Sequence, residues 1–157
     1  MNLNADTFWQ YSLEIYGRPA VSENALALQD HFKVNVNMLL LLCWCLQNGA
    51  VITLNQWQVL LAAIEETERK LIAHRRQRKR AKVARPEDAS AYEALKKQEL
   101  ALELEQQEAL TTMFNRLNVE YVSLSGVNGS IASFVNVFNL RQQPDAVSRI
   151  TAVIKQL

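Results

Sequence analysis

Arg69-Lys70-Leu71-Ile72-Ala73-His74-Arg75-Arg76-Gln77-Arg78-Lys79-Arg80-Ala81-Lys82-Val83-Ala84-Arg85 holds nine of the chain's seventeen basic residues and no acid. After Pro86 the sign reverses: Glu87 to Glu108 carries seven acids against Lys96 and Lys97. Both segments are rich in good helix formers, so they read as two arms of a helical hairpin turning at Pro86, each arm neutralising the other. Glu87 and Asp88 suit the first turn of the second arm, where the helix macrodipole favours acids.

Working outward, the first arm continues a helix with a clear start. Thr53 and Gln56 form a capping box, and Ile52 and Trp57 stand at the ends of a hydrophobic staple. From there one helix is expected to carry the apolar stripe Trp57, Leu60, Leu61, Ile64, Leu71 and Ile72. Past Ile72 no apolar face remains, so the helix is expected to project from the core. Downstream, Leu110, Phe114, Leu117, Tyr121 and Leu124 recur at steps of four and three, which returns the second arm to the core beside Trp57 and Ile64. Leu95, Leu100, Leu102 and Leu104 are left to pair with the basic arm. The alternation Val119, Tyr121, Ser123 also permits a short strand. Helix is preferred there because no convincing second strand offers itself as a partner.

The remainder also reads as helices. Asp6 caps a helix in which Phe8, Trp9, Tyr11, Leu13, Ile15 and Tyr16 cover most of the circumference, ending at Gly17-Arg18-Pro19. Val21, Ala25, Leu28 and Phe32 space a second helix, with Lys33 and Val34 as the joint. Asn35 caps a third, Val36 to Gln47, closed by Asn48 and Gly49 and apolar all round, the spine of the core. After a turn at Ser125-Gly126-Val127-Asn128-Gly129, Ser130 caps a helix through Leu140. Pro144 and Asp145 open a last helix with Val147, Ile150, Ile154 and Leu157 on one face. The fold class is therefore all-α: a compact helical domain with a long, oppositely charged hairpin. Core helices fall at about 6–64 and 110–157 and the hairpin at about 65–109, within one domain, since a chain of 157 residues buries roughly 70% of its unfolded surface.

The formal charge of +1 argues against a surface built throughout for polyanions. The N-terminus lacks the basic start and apolar run of a signal peptide, and the longest apolar run, Met38 to Leu46, is too short to span a bilayer. A cytoplasmic location is expected. Cys43 and Cys45 point about 200° apart on a helix, so they neither share a metal nor pair, and read as buried thiols.

The search for chemistry returns little. His31 and His74 lie in different helices and in no metal-ligand spacing, so no metal, cofactor or catalytic residue is assigned. Glu99 and Glu103 stand one turn apart and read as a solvated helix surface. There is no nucleophile elbow and no phosphate loop, and Gly126 to Gly129 lacks the flanking elements of a KH domain. Gln29, Asn35 and Asn37 border the apolar helix. They read as caps that lock its turn or, with Tyr11, Tyr16 and Trp44, as the lining of a small-ligand pocket.

The N-terminal half resembles a small bacterial family of about this length with no established function. The resemblance rests on Phe8-Trp9 with Leu13 and Tyr16, Arg18-Pro19-Ala20-Val21, Leu26-Ala27-Leu28-Gln29-Asp30, and Val36-Asn37-Met38-Leu39-Leu40-Leu41 ending in Trp44. A weaker echo follows in the arginine-rich run and in Gln98 to Glu103. At Asn35 the resemblance leads one to expect an aspartate, and either residue caps a helix. It implies a cytoplasmic bacterial all-helical protein and no mechanism.

Function is then expected from the hairpin: a non-enzymatic adaptor whose Arg75, Arg76, Arg78, Lys79, Arg80 and Lys82 meet a protein partner, or a second copy in an antiparallel homodimer. Nucleic acid is the rival occupant, although the run holds no aromatic residue for stacking on bases. The candidate pocket of Tyr11, Tyr16, Asn37 and Trp44 is the third reading.

Overall fold

The computed structural model describes residues 2–84, 87 and 89–157. It is all-α. Eight helices among the described residues run in the order α1 (Ala5–Tyr16), α2 (Val21–Phe32), α3 (Val36–Asn48), α4 (Leu54–Ala63), α5 (Glu65–Ala84), α6 (Ala89–Phe114), α7 (Ser130–Val137) and α8 (Pro144–Ile154). Two residue pairs add a minimal antiparallel ladder, β1 (Ala50–Val51) against β2 (Glu120–Tyr121).

The expected spine is in place. Every residue of α3 from Asn37 to Leu46 is buried, because a helix apolar on all sides is stable only when enclosed on all sides. Helices α1, α2, α6 and α7 pack around it. Its ends are set as the sequence indicates. Asn35 accepts a hydrogen bond from the Met38 amide at 2.8 Å, and Gly49 closes the helix at φ 72°. That glycine has a second role, since a Cβ there would collide with the Val122 carbonyl. The close approach lets Val122 donate its amide to the Gly49 carbonyl at 2.8 Å and Gly126 donate to Leu46 at 2.8 Å. The cysteines lie inside α3, free and buried, and burial pushes the Cys43 thiol up to about 12.

Four local expectations are corrected. Asn4, not Asp6, caps α1, accepting from the Thr7 amide at 2.7 Å, and Asp6 occupies the first turn. The helix begun by the Thr53–Gln56 capping box, which forms as expected, does not run on past Ile72 in one piece; it breaks at Ile64 into α4 and α5. No glycine or proline marks this break. Ile64 is fully buried, and the Thr67 hydroxyl donates back to its carbonyl at 3.0 Å, the kind of side-chain competition that bends a helix. Third, α6 ends at Phe114, and Glu120–Tyr121 is strand, not helix. Its partner, Ala50–Val51, is only two residues long and leaves no period-2 pattern to read. Fourth, Ser130 does not cap α7 but begins it. Its hydroxyl accepts from the Ile52 amide at 2.8 Å and donates to the Ala50 carbonyl at 3.1 Å, pinning β1.

The arms pair as the charge pattern indicates, α5 along α6, and α6 also lies on α1 and α4. Arg85, Pro86 and Asp88, where the turn and part of its first acidic residues were expected, lie outside the described residues. Projection begins later than Ile72. Arg75 and Arg78 still face the body, and Lys79 reaches Asp30 of α2 at 3.8 Å. Helix α8 docks on α2 through buried Ala146, Ile150 and Val153. No helix among the described residues is long and apolar enough to cross a membrane.

Candidate functional site

The base of the hairpin is wired to the body by amides. Glu68 of α5 accepts from Asn35 Nδ2 and, at 3.5 Å, from Gln106 Nε2. The Gln106 nitrogen also donates to the Thr67 hydroxyl at 3.1 Å. Gln106 Oε1 accepts from Asn37 Nδ2 at 2.8 Å and from Asn35 Nδ2 at 3.0 Å. Asn37 Oδ1 in turn accepts from Gln107 Nε2 at 3.0 Å, and the same nitrogen donates to the Ser12 hydroxyl at 2.9 Å. A carboxylate only accepts, so Glu68 sets the orientation of Gln106, Gln106 sets Asn37, and Asn37 sets Gln107. The last atom of the relay, Gln107 Oε1, is buried and has no partner among the described residues. Burying that many polar groups is tolerated only because nearly all are paired.

One turn further out the amides give way to ions. Arg78 places Nε 2.5 Å and Nη2 3.5 Å from the Glu99 carboxylate, and its Nη1 donates to the Tyr92 hydroxyl at 3.3 Å. Arg75 bridges Glu68 at 3.4 Å and Glu99 at 3.6 Å. The side chains of Arg75 and Glu99 are 13% and 12% exposed, so the Glu99–Glu103 face is not the solvated surface the sequence alone indicates. It faces Arg75 and Arg78 of α5 and, across a cavity, α1 and α2. Glu103, one turn on from Glu99, makes no ion pair among the described residues, and burial pushes its carboxyl above the ordinary range. On the other side of the hairpin His74 Nε2 donates to the Leu95 carbonyl at 2.7 Å.

Between α1, α2, α3 and the hairpin lies a cavity of about 310 Å³. Arg75, Arg78, Glu99, Glu103, Gln106 and Gln107 form its polar wall. Trp9, Leu13, Leu26 and Leu40 form an apolar one. Of the pocket residues read from the sequence, Tyr16 and Asn37 line it. Tyr11 instead donates to Gln47 Oε1 at 2.5 Å, and Trp44 packs edge-on against Phe114 with ring centres 5.6 Å apart. Gln106 and Gln107 were not singled out. Their only signal is a pair of adjacent amides set among the acids of α6, at helical spacing from Glu99 and Glu103.

The basic run divides by side of the helix. Arg75 and Arg78 face inward, whereas Arg76, Lys79, Arg80 and Lys82 are exposed. Lys82 and Lys96 each hold an ammonium 5.5 Å from the Tyr92 ring, a cation–π distance. Arg76 and Arg80 meet no carboxylate among the described residues.

Architecture and site together define a class: an all-helical protein in which a charged hairpin is clamped by buried amides over a cavity. Residues 7–110 match a family described as "Protein of unknown function (DUF2390)", and the chain belongs to that family. The matched span runs from α1 into α6 and contains every residue of the cavity wall. No curated protein and no solved structure matches the chain significantly.

Proposed function

We propose that this is an interaction module rather than an enzyme, a cytoplasmic bacterial adaptor that presents the outer face of α5 to an acidic protein surface. The observation that supports this is the sorting of cations within one helix. Arg75 and Arg78 are neutralised internally by Glu68 and Glu99, yet Arg76 and Arg80, one turn apart, face solvent with no carboxylate near them among the described residues. Neutralising the hairpin for stability alone would not leave that stripe while Glu87 and Glu105 of the acidic segment stay exposed and make no ion pair among the described residues. Two faces of opposite sign on one projecting element favour a partner that reads charge and geometry together.

The test is affinity capture from native lysate with the intact protein and with Arg76, Lys79, Arg80 and Lys82 changed to Gln. A specific protein retained by the first and released from the second, with recovery falling as salt rises, is the expected result. Sedimentation in low and high salt reports the homodimer as an alternative occupant. Titration of labelled DNA and RNA reports nucleic acid. A quadruple variant that retains the same proteins as the parent would overturn the proposal.

A further inference from the structure

We infer that the cavity beneath the hairpin is a binding site for a small organic ammonium compound, its charged head against Glu103 and Gln107 and its apolar body against Trp9, Leu13, Leu26 and Leu40. This is independent of the docking role given to the outer face of α5, since no residue is shared between the two.

The size fits. A cavity of about 310 Å³ lies at the small end of sites that hold metabolite-sized ligands, and one apolar wall facing a few convergent polar groups is the usual composition of such sites. The chemistry follows from which groups are already engaged. Both guanidinium groups of the wall are committed, Arg78 to Glu99 and Tyr92, Arg75 to Glu68 and Glu99. Among the charged and fully buried groups of the wall, the two left over are both acceptors. Gln107 Oε1 has no donor among the described residues, and its orientation is dictated by the relay that starts at Glu68. Glu103 has no ion pair among the described residues. The cavity wall carries two carboxylates, Glu99 and Glu103, and two guanidinium groups, Arg75 and Arg78; both guanidinium groups pair with Glu99, and Arg75 also with Glu68 outside the wall, so Glu103 is the carboxylate left without a cation of its own among the described residues. An anionic ligand would find no free cation, whereas an ammonium supplies both the missing charge and the missing N–H donors.

Two further features fit an occupant. Leu13 and Leu26 line the cavity while remaining 54% and 46% exposed, large apolar side chains on helices that otherwise turn such residues inward. An apolar body seated between them would cover part of that surface. Glu103 is also held in surroundings that oppose its charge, burial being the leading cause and Glu99 adding to it, with Arg75 and Arg78 only partly offsetting. A carboxylate kept at a cost to the fold is what a site for a cation requires.

The experiment is a two-dimensional amide NMR titration of the full chain with 2-phenylethylammonium and 3-methylbutylammonium chloride. The controls are 2-phenylethanol, 3-methylbutanol and phenylacetate. The expected result is saturable shifts at Trp9, Tyr16 and Gln107, with the ammonium compounds about tenfold or more tighter than the alcohols and the carboxylate. In Glu103→Gln that preference should fall below about threefold with the spectrum still that of the folded protein. Glu105→Gln removes an exposed carboxylate from the same helix and should leave the preference intact. Absence of saturable shifts with both ammonium compounds would overturn the proposal. So would equal affinity for all three classes, a preference that survives Glu103→Gln, or one lost equally in Glu105→Gln.

Discussion

Arg78 and Arg80 stand two residues apart on one helix, and their surroundings have little in common. The first holds Glu99 at 2.5 Å with its side chain 22% exposed; the second is exposed and meets no carboxylate among the described residues. The same contrast separates the base of the hairpin from its far end. At the base, Gln106 and Gln107 are 0% and 1% exposed and bonded into the relay through every amide atom but Gln107 Oε1, whereas Leu100 and Leu104, apolar residues of the same helix, are 45% and 43% exposed. Polarity does not decide which residue of α6 is inside. The side of the helix facing α1 and α3 does, and there the chain has placed amides and carboxylates, which serve specificity and binding better than they serve stability.

The sharpest break would come at the base. Gln106→Leu should destabilise the protein by about 2 to 4 kcal/mol, because Asn35, Asn37, Thr67 and Glu68 all lose a buried partner at once. Chemical denaturation checks this, and a loss under about 0.5 kcal/mol would mean that water replaces the glutamine and the base is not dry. Next in size, Glu99→Gln should cost about 1 to 2 kcal/mol, the range for a half-buried ion pair shared by two arginines once solvent screening is allowed for. Amide exchange should rise along α5 beyond Arg75 in that variant, while α3 stays protected.

Glu103→Gln should act in the opposite direction, raising the melting temperature at neutral pH by roughly 2 to 5 °C. The sign follows from the raised carboxyl. A group whose folded pKa lies above its unfolded value contributes stability fully below the unfolded value, here 4.5, and loses it as pH rises through the folded one. The gain in the variant should therefore vanish at acidic pH, where Glu103 is neutral in both states, and appear as pH climbs past the ordinary carboxyl range. Melting curves from pH 3.5 to 8 test this, with a pH-independent difference as the contrary result. The smallest effect belongs to the far end. Arg76→Gln with Arg80→Gln should change unfolding free energy by less than about 0.5 kcal/mol, and all of the variant's consequence should be seen in binding.

The helices were readable from Asn35, Gly49 and the Thr53–Gln56 box because caps and boxes are local chemistry, acting over three or four residues whatever the rest of the chain does. The break at Ile64 was not, since it depends on a buried side chain and on Thr67 meeting Gln106 from 39 residues away. Pairing of the charged arms followed from composition. Which arginines would be spent inside the pair did not, because neighbours two residues apart on a helix point to different sides and only the packing of α1 and α2 says which side is covered. Tyr16 and Asn37 stand in the cavity wall, whereas Tyr11 and Trp44, equally plausible by type, do not.

Short-range physics thus laid down the helical nature of the chain, the enclosed spine of α3 and the attraction between the two halves of the hairpin, all properties of periodicity, capping and charge along the chain. The cavity, the amide relay and the Glu103 carboxyl without an ion pair arise only where α1, α2, α3 and the hairpin meet. They depend on residues up to 95 positions apart, as Ser12 and Gln107 are, and burial and hydrogen-bond direction acquire meaning only once the chain has closed around them.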